Sequence, residues 1–176
     1  VGSVGRLSGQ KGHRYLVEAA LRILSGRPDT VFVVVGEGEE RGALERLAAT
    51  LGVARSFRFP GFMVEVEKAY PVFDLFVLPS LYEPFGLAVL EAMAAGLPVV
   101  AAATGGLREI VEDETTGLLV PPGDPEALAQ GVLHLMEHWE SSARPMAERG
   151  RQQVHRRFGR QGAIARIEAL YLGSEM

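Results

Sequence analysis

Apolar runs rich in β-branched residues alternate with segments of helical periodicity over the first 123 residues. VFVVV, at residues 31–35, is apolar at every position, which is typical of a strand covered by helices on both faces. This alternation predicts a parallel sheet with crossover helices. The predicted strands lie at residues 1–7, 30–35, 56–59, 75–79, 98–101 and 117–120. The predicted helices between them lie at residues 13–24, 40–51, 64–70, 85–95 and 107–111.

The pattern changes at PPGDP (residues 121–125), after which helical periodicity continues to the end of the chain. Asp124 is the predicted N-cap, and Pro125 suits the first helical position. We therefore predict a doubly wound, Rossmann-like α/β sheet of six parallel strands over residues 1–123, followed by a helical tail over residues 124–176. Breaks are expected near residues 141–142, 144–145 and 158–159.

Composition limits the protein classes that need to be considered. A chain of 176 residues that is 47% hydrophobic is long enough for one domain with a sizeable core. A net charge of -4 argues against a general nucleic-acid surface, because such surfaces neutralise many phosphates. The absence of cysteine excludes disulfides and thiolate metal sites.

Because no apolar run reaches the roughly 18 residues of a membrane span, we expect a soluble, cytoplasmic protein. The chain begins at a predicted strand without methionine, so we also expect a fragment.

GRLSGQKG (residues 5–12) follows the first predicted strand and precedes the first predicted helix. Its glycines, beginning with Gly5, allow close backbone approach, and the helix amino terminus offers free N–H groups. Arg6 can hold two phosphate oxygens through its planar fork, whereas Lys11 acts as a mobile point charge. The segment therefore fits an anion site, and its spacing does not match a Walker loop. A flexible turn with solvated charges is the alternative.

VGEGEERG (residues 35–42) resembles a dinucleotide fingerprint only in part. Gly36 and Gly38 fit, but Arg41 occupies the third glycine position, and three glutamates would repel a pyrophosphate. We interpret the segment as a tight turn before a helix.

Two polar patterns in the tail are interpreted as exposed helix faces. HLMEH (residues 134–138) matches the H-x-x-E-H pattern of zinc peptidases, but its histidines flank an apolar stripe and lack a convincing third ligand. The tail is also rich in arginine, which suggests either a polyanion surface or a solvated face, and we favour the second. These arginines are Arg149, Arg151, Arg156, Arg157 and Arg160.

LYEPFGLAVLEAM (residues 81–93) places two carboxylates, Glu83 and Glu91, around an apolar stretch. A lone glutamate within a nearly apolar helix needs a partner or a ligand. We expect the helix to begin at Phe85, with Gly86 in its first turn leaving N–H groups open to a phosphate. The two carboxylates would then accept hydrogen bonds from vicinal hydroxyls on either side of that phosphate. A dipole-stabilising acid and a structural ion pair are the alternative.

Three segments resemble the donor-binding half of retaining GT-B glycosyltransferases, the group 1 or family 4 class. They are GRLSGQKG, EPFGLAVLEAMAAGLPVVA with its E-x7-E motif (residues 83–101), and TGGLREIVEDETTGLLVPPGD (residues 104–124). The resemblance covers nearly the whole chain. It departs from the family pattern at Glu114, where glycine is usual, and at residues 158–160.

The resemblance implies a role for each site residue. Arg6 and Lys11, with Gly5 in the same loop, would hold the diphosphate of a nucleotide sugar. Glu91 would hold the ribose hydroxyls. Glu83 would meet the donor sugar and phosphate together with the backbone of Phe85, Gly86 and Leu87. The base would lie near residues 58–62, among them Arg58, Phe59 and Gly61.

The resemblance also implies a reaction, the transfer of a sugar to an acceptor hydroxyl with retention. Because no D-x-D motif is present, we expect no metal and no cofactor other than the nucleotide-sugar substrate. Glu83, Arg6 and Lys11 would be the catalytic residues, with Glu83 orienting the sugar. The acceptor would bind an amino-terminal domain absent from this chain, so the isolated fragment should be nearly inactive. Membrane-surface and nucleic-acid partners are not expected. A nucleotide-sugar epimerase, a sugar-phosphate synthase and a non-catalytic nucleotide-binding module remain the alternatives.

Overall fold

Six short strands form one fully parallel sheet in the computed structural model, which describes residues 1–158. The strands are β1 (Gly2–Val4), β2 (Phe32–Val35), β3 (Phe57–Gly61), β4 (Phe76–Leu78), β5 (Val99–Ala102) and β6 (Leu118–Val120). Their spatial order is β3-β2-β1-β4-β5-β6. The chain therefore reverses its direction of winding between β1 and β4, and this is the position at which doubly wound folds bind ligands. All six predicted strands and the predicted fold class are confirmed.

Six α-helices are described, of which the first four follow strands β1, β2, β4 and β5. They are α1 (His13–Gly26), α2 (Arg41–Thr50), α3 (Leu87–Ala94), α4 (Leu107–Ile110), α5 (Pro125–Glu137) and α6 (Arg144–Arg157). The helix predicted at residues 64–70 is instead a pair of short 3₁₀ turns, Val66–Lys68 and Tyr70–Val72. Pro71 in the second turn cannot donate the backbone hydrogen bond that would continue a helix through residues 70–72.

The tail begins as its sequence indicates. The Asp124 carboxylate accepts a hydrogen bond of 2.9 Å from the backbone N–H of Ala127, and Pro125 opens α5. A π-helical turn at Trp139–Ala143 separates α5 from α6, which agrees with the breaks predicted near residues 141–145. The tail beyond Phe158, with Gly159 and Arg160, lies outside the described residues. None of the helices within residues 1–158 is long and apolar enough to cross a membrane.

Each face of the sheet carries its own hydrophobic cluster, because adjacent strand residues point to opposite faces. In β5, for example, Val99 and Ala101 pack in one cluster and Val100 packs in the other. The cluster that contains Val100 includes side chains of α1 and α5, and the cluster that contains Val99 and Ala101 includes side chains of α3 and α4. With both faces covered, the rim at the carboxyl ends of the strands is left for function.

Candidate functional site

The loops after β1 and β4 are joined where the winding reverses. The backbone N–H groups of Leu81 and Tyr82 both donate to the carbonyl of Gln10, at 2.8 and 3.3 Å. Gly12, with φ of 64°, lies so close to Pro79 that an added Cβ would sit 2.1 Å from the proline carbonyl oxygen. Only glycine fits there, so the two loops form one rigid unit.

Lys11 and Glu83 meet across this joint. The Lys11 Nζ lies 2.5 Å from Oε2 of Glu83, and the Ser80 hydroxyl donates to the same oxygen at 3.4 Å. The Lys11 side chain is 26% exposed and that of Glu83 only 8%. Two residues that the sequence places in separate loops are thus brought together as a partly buried ion pair, with the lysine more accessible to a ligand.

Helix α3 presents its amino terminus beside this pair. The helix begins at Leu87, two residues later than predicted, because Gly86 adopts a left-handed conformation with φ of 98°. An added Cβ on Gly86 would also lie 2.6 Å from Cδ2 of Leu107. Within residues 1–158 no side chain caps this helix, so its first N–H groups can serve a ligand. The side chains of Phe85 and Leu87 are exposed at the same place.

The loop after β5 supports the Glu83 backbone from behind. The N–H of Gly106 donates to the Glu83 carbonyl at 2.9 Å, and a Cβ on Gly105 would lie 2.1 Å from that carbonyl oxygen. Neither glycine was assigned a role from the sequence. The available signal was the TGG triplet (residues 104–106) directly after a strand.

Glu91 has a protein partner that was not predicted. The hydroxyl of the buried Tyr70 donates to Oε2 of Glu91 at 2.5 Å. Burial, followed by the hydrogen bond and the negative charge of Glu91, raises the pKa of Tyr70 above its ordinary value. Tyr70 therefore stays a protonated donor, and the carboxylate within α3 is held in place.

Arg6 does not join the Lys11–Glu83 pair. Its side chain is 73% exposed and its guanidinium lies 3.3 Å from the carboxylate of Glu39 in the loop after β2. Exposed ion pairs of this kind contribute about 0–1 kcal/mol, so a ligand can draw the guanidinium away. Gly5 is held at the end of β2 through its N–H, which donates to the Val35 carbonyl at 3.0 Å. A ligand role for Arg6 and Gly5 stays a prediction.

The residues predicted near a base lie on β3, two strands from β1 and so about 10 Å away at ordinary strand spacing. Gly61 is at the carboxyl end of β3, where its carbonyl accepts from the Gly36 N–H at 2.9 Å. Phe59 stacks on Phe57. The Arg58 guanidinium instead turns toward the amino end of β3, where it donates to two backbone carbonyls. The base site stays a prediction, and Arg58 is not brought to the other site residues.

His13 opens α1 directly beneath the loop after β1. It is 2% exposed, and neither ring nitrogen has a hydrogen-bond partner among the described residues. Burial, followed by the nearby positive charge of Lys11, lowers the pKa of His13 to about 4. The imidazole is therefore neutral near pH 7. The burial of His13 was not predicted from the sequence.

The polar patterns of the tail lie on exposed helix faces, as interpreted from the sequence. His134 and His138 are both exposed, and their rings stack at 4.6 Å. The arginines of α6 that were singled out are exposed as well. Within residues 1–158, no group of three or more histidines and carboxylates could hold a metal ion.

Comparison with known proteins identifies the family of the chain. The family model for glycosyl transferases group 1 matches residues 1–153. The chain therefore belongs to the group 1 glycosyltransferase family, and its fold is the Rossmann-like half of a GT-B architecture.

Individual relatives cover the chain well. An uncharacterized glycosyltransferase of Methanocaldococcus jannaschii is 44% identical over 138 residues, which are 77% of this chain and 35% of that protein. A crystal structure of Anabaena HepE in complex with UDP and glucose matches with a TM-score of 0.87 and 29% identity, over 99% of this chain and 48% of HepE.

A third relative is itself a single domain. The crystal structure of the C-terminal domain of a group 1 glycosyl transferase from Francisella tularensis matches with a TM-score of 0.83 and 30% identity, over 91% of this chain and 86% of that one. In contrast, the chain spans about a third to a half of the length of the first curated relatives it matches.

Proposed function

We propose that residues 1–176 are the nucleotide-sugar donor-binding domain of a retaining, family 4 type hexosyltransferase that acts on an acceptor hydroxyl. The acceptor site and the opposite wall of the cleft would belong to an amino-terminal domain outside this chain. Membership of the group 1 family and the likeness to HepE, which was crystallised with UDP and glucose, support the donor class.

The observation that carries the proposal is the Lys11–Glu83 pair beside the uncapped start of α3. A diphosphate leaving the sugar gains negative charge, and preorganised positive groups lower the barrier to its departure. Lys11 and the first N–H groups of α3 would supply that stabilisation from the protein alone, without a metal. Glu83 would accept hydrogen bonds from the donor sugar and orient it. We assign no covalent nucleophile.

Two further residues would complete the donor site. Arg6 would leave its exposed pair with Glu39 and contact the diphosphate, while Glu91 would accept hydrogen bonds from the ribose hydroxyls. The free-energy cost of these contacts should be small. Arg6 exchanges one exposed carboxylate for phosphate, and Glu91 is already oriented by Tyr70.

Calorimetric titration of this chain with UDP, GDP and ADP tests the proposal. UDP comes first, because HepE was crystallised with it. The Arg6→Ala variant should lose a charge-assisted contact worth about 1.5–3 kcal/mol, or roughly 10- to 150-fold in affinity. Arg144→Ala is the matched control, since both arginine side chains are 73% exposed and paired with one glutamate.

Two outcomes would contradict the proposal. If no nucleoside diphosphate bound, the chain would not be a self-sufficient donor domain. If Arg6→Ala and Arg144→Ala bound the nucleotide equally tightly, the phosphate would lie elsewhere.

The role of Glu83 is tested by measuring sugar transfer in a glycosyltransferase that contains this chain. Glu83→Gln should slow transfer there, and an unchanged rate would remove Glu83 from the mechanism. By itself the chain should transfer little sugar, because in this proposal the opposite wall of the cleft belongs to another domain.

A further inference from the structure

The contact between Tyr70 and Glu91 joins two elements that are distant in sequence. Tyr70 lies in the 3₁₀ turn before β4, and Glu91 lies in α3 after it. The tyrosine hydroxyl donates to Oε2 of Glu91 at 2.5 Å, and it also lies 3.4 Å from the carbonyl of Ala88. One carboxylate oxygen is thereby occupied, and no hydrogen bond from residues 1–158 occupies the other, which can accept from a ligand.

The tyrosine itself cannot easily move. It is 2% exposed, and its ring packs edge-on against Phe73 at 6.1 Å and at a tilt against Phe76 at 5.8 Å. A side chain fixed by such packing holds its hydroxyl at a constant position. The Glu91 carboxylate, which would otherwise rotate freely about its terminal bond, is therefore held in one orientation before any ligand binds.

A fixed carboxylate is suited to a vicinal diol. Each ribose hydroxyl must find an acceptor at a defined place, and an acceptor that is already oriented avoids the entropic cost of ordering it during binding. We propose that Tyr70 is a positioning residue: its hydroxyl orients Glu91 so that the remaining carboxylate oxygen accepts hydrogen bonds from the ribose of a nucleoside diphosphate. This inference rests on the proposed function, and it adds a residue that acts through Glu91.

A purely structural role for the contact makes a different prediction. If Tyr70 only fastens α3 to the turn before β4, its removal would lower stability but would not change how the site distinguishes ribose from an analogue without hydroxyls. The Tyr70→Phe variant separates the two, because it keeps the aromatic packing and deletes only the hydroxyl. Tyr15→Phe on α1 removes a tyrosine hydroxyl away from Glu91 and is the matched control.

The experiment titrates wild type and both variants with UDP, GDP and ADP, and then titrates the tightest nucleotide beside its 2′,3′-dideoxy analogue. Wild type should bind the ribonucleotide roughly tenfold or more tightly than the dideoxy analogue, because the ribose hydroxyls would donate hydrogen bonds to the charged Glu91 carboxylate. Tyr70→Phe should reduce that preference at least threefold while affinity for the dideoxy analogue stays unchanged. Tyr15→Phe should match the wild type.

A second measurement covers the case in which Tyr70→Phe does not fold. In wild-type protein with tyrosine labelled at ¹³Cζ, the Tyr70 resonance should shift with the ribonucleotide and not with the dideoxy analogue. An unchanged preference in a folded Tyr70→Phe variant, or equal shifts with both ligands, would overturn the positioning role and leave the donor site intact. Failure of wild type to bind any of the three nucleotides would overturn the proposed function together with this inference.

Discussion

Replacement of His13 by leucine should make the stability of the protein less sensitive to acid. In the folded protein burial lowers the pKa of His13 to about 4, whereas the ordinary value of 6.5 applies when the chain unfolds. Between these values the unfolded chain binds a proton that the folded protein excludes. The stabilising contribution of neutral His13 is therefore complete above pH 6.5 and is lost progressively as the pH falls toward 4.

The pKa difference sets the size of the effect. A shift from 6.5 to about 4 corresponds to roughly 3 kcal/mol at 1.36 kcal/mol per unit. Of this, about 2 kcal/mol should be lost between pH 7 and pH 5. Urea unfolding of wild type and His13→Leu at both pH values measures the free energy of unfolding directly. The variant should lose about 2 kcal/mol less than wild type over this interval.

A matched variant shows whether burial is the cause. His155→Leu removes a histidine that is exposed on α6. Equal changes in His13→Leu and His155→Leu would mean that the loss of any histidine has the same effect. A pH dependence in His13→Leu identical to that of wild type would refute the linkage between burial of His13 and acid sensitivity.

Three further substitutions test local backbone features by urea unfolding. Glu114 has φ of 56°, so Glu114→Gly should raise the free energy of unfolding by about 0.5–1 kcal/mol, and a loss would show that the turn is not strained. Asp124→Ala removes the cap on the Ala127 N–H and should lower the free energy of unfolding by about 1 kcal/mol, whereas Asp124→Asn should change it little. Gly86→Ala should lower the free energy of unfolding by about 2 kcal/mol, because alanine is strained at φ of 98° and its Cβ would lie 2.6 Å from Cδ2 of Leu107. An unchanged unfolding midpoint would contradict that geometry.

The fold could be predicted from sequence because its signals are local. A strand apolar on both faces, such as residues 31–35, identifies a buried parallel strand without any knowledge of its neighbours. Element boundaries were less accurate where tertiary contacts decide them. Helix α3 begins at Leu87 because Gly86 adopts a left-handed conformation with φ of 98°, at a place where an added Cβ would lie 2.6 Å from Cδ2 of Leu107 on the next helix.

The candidate site was predictable only in part for the same reason. Lys11 and Glu83 could be assigned to one edge of the sheet, because loops at the carboxyl ends of parallel strands share that edge, but their ion pair was not predicted. The pairing of Tyr70 with Glu91 depends on the path of the chain between β3 and β4, which periodicity does not reveal. The Glu39 partner of Arg6 and the burial of His13 likewise depend on how neighbouring loops pack.

The seam between β1 and β4 has fewer paired residues than any other junction of the sheet. A single residue pair, Gly2 with Phe76, joins these strands, whereas β1 and β2 share three such pairs. On one side of the seam lie β1 to β3, and on the other lie β4 to β6. Lys11 follows β1 and Glu83 follows β4, so a ligand that contacts both would connect the two halves of the sheet. Ligand binding and cooperative unfolding would then be coupled, and hydrogen exchange should slow at both strands when the site is filled.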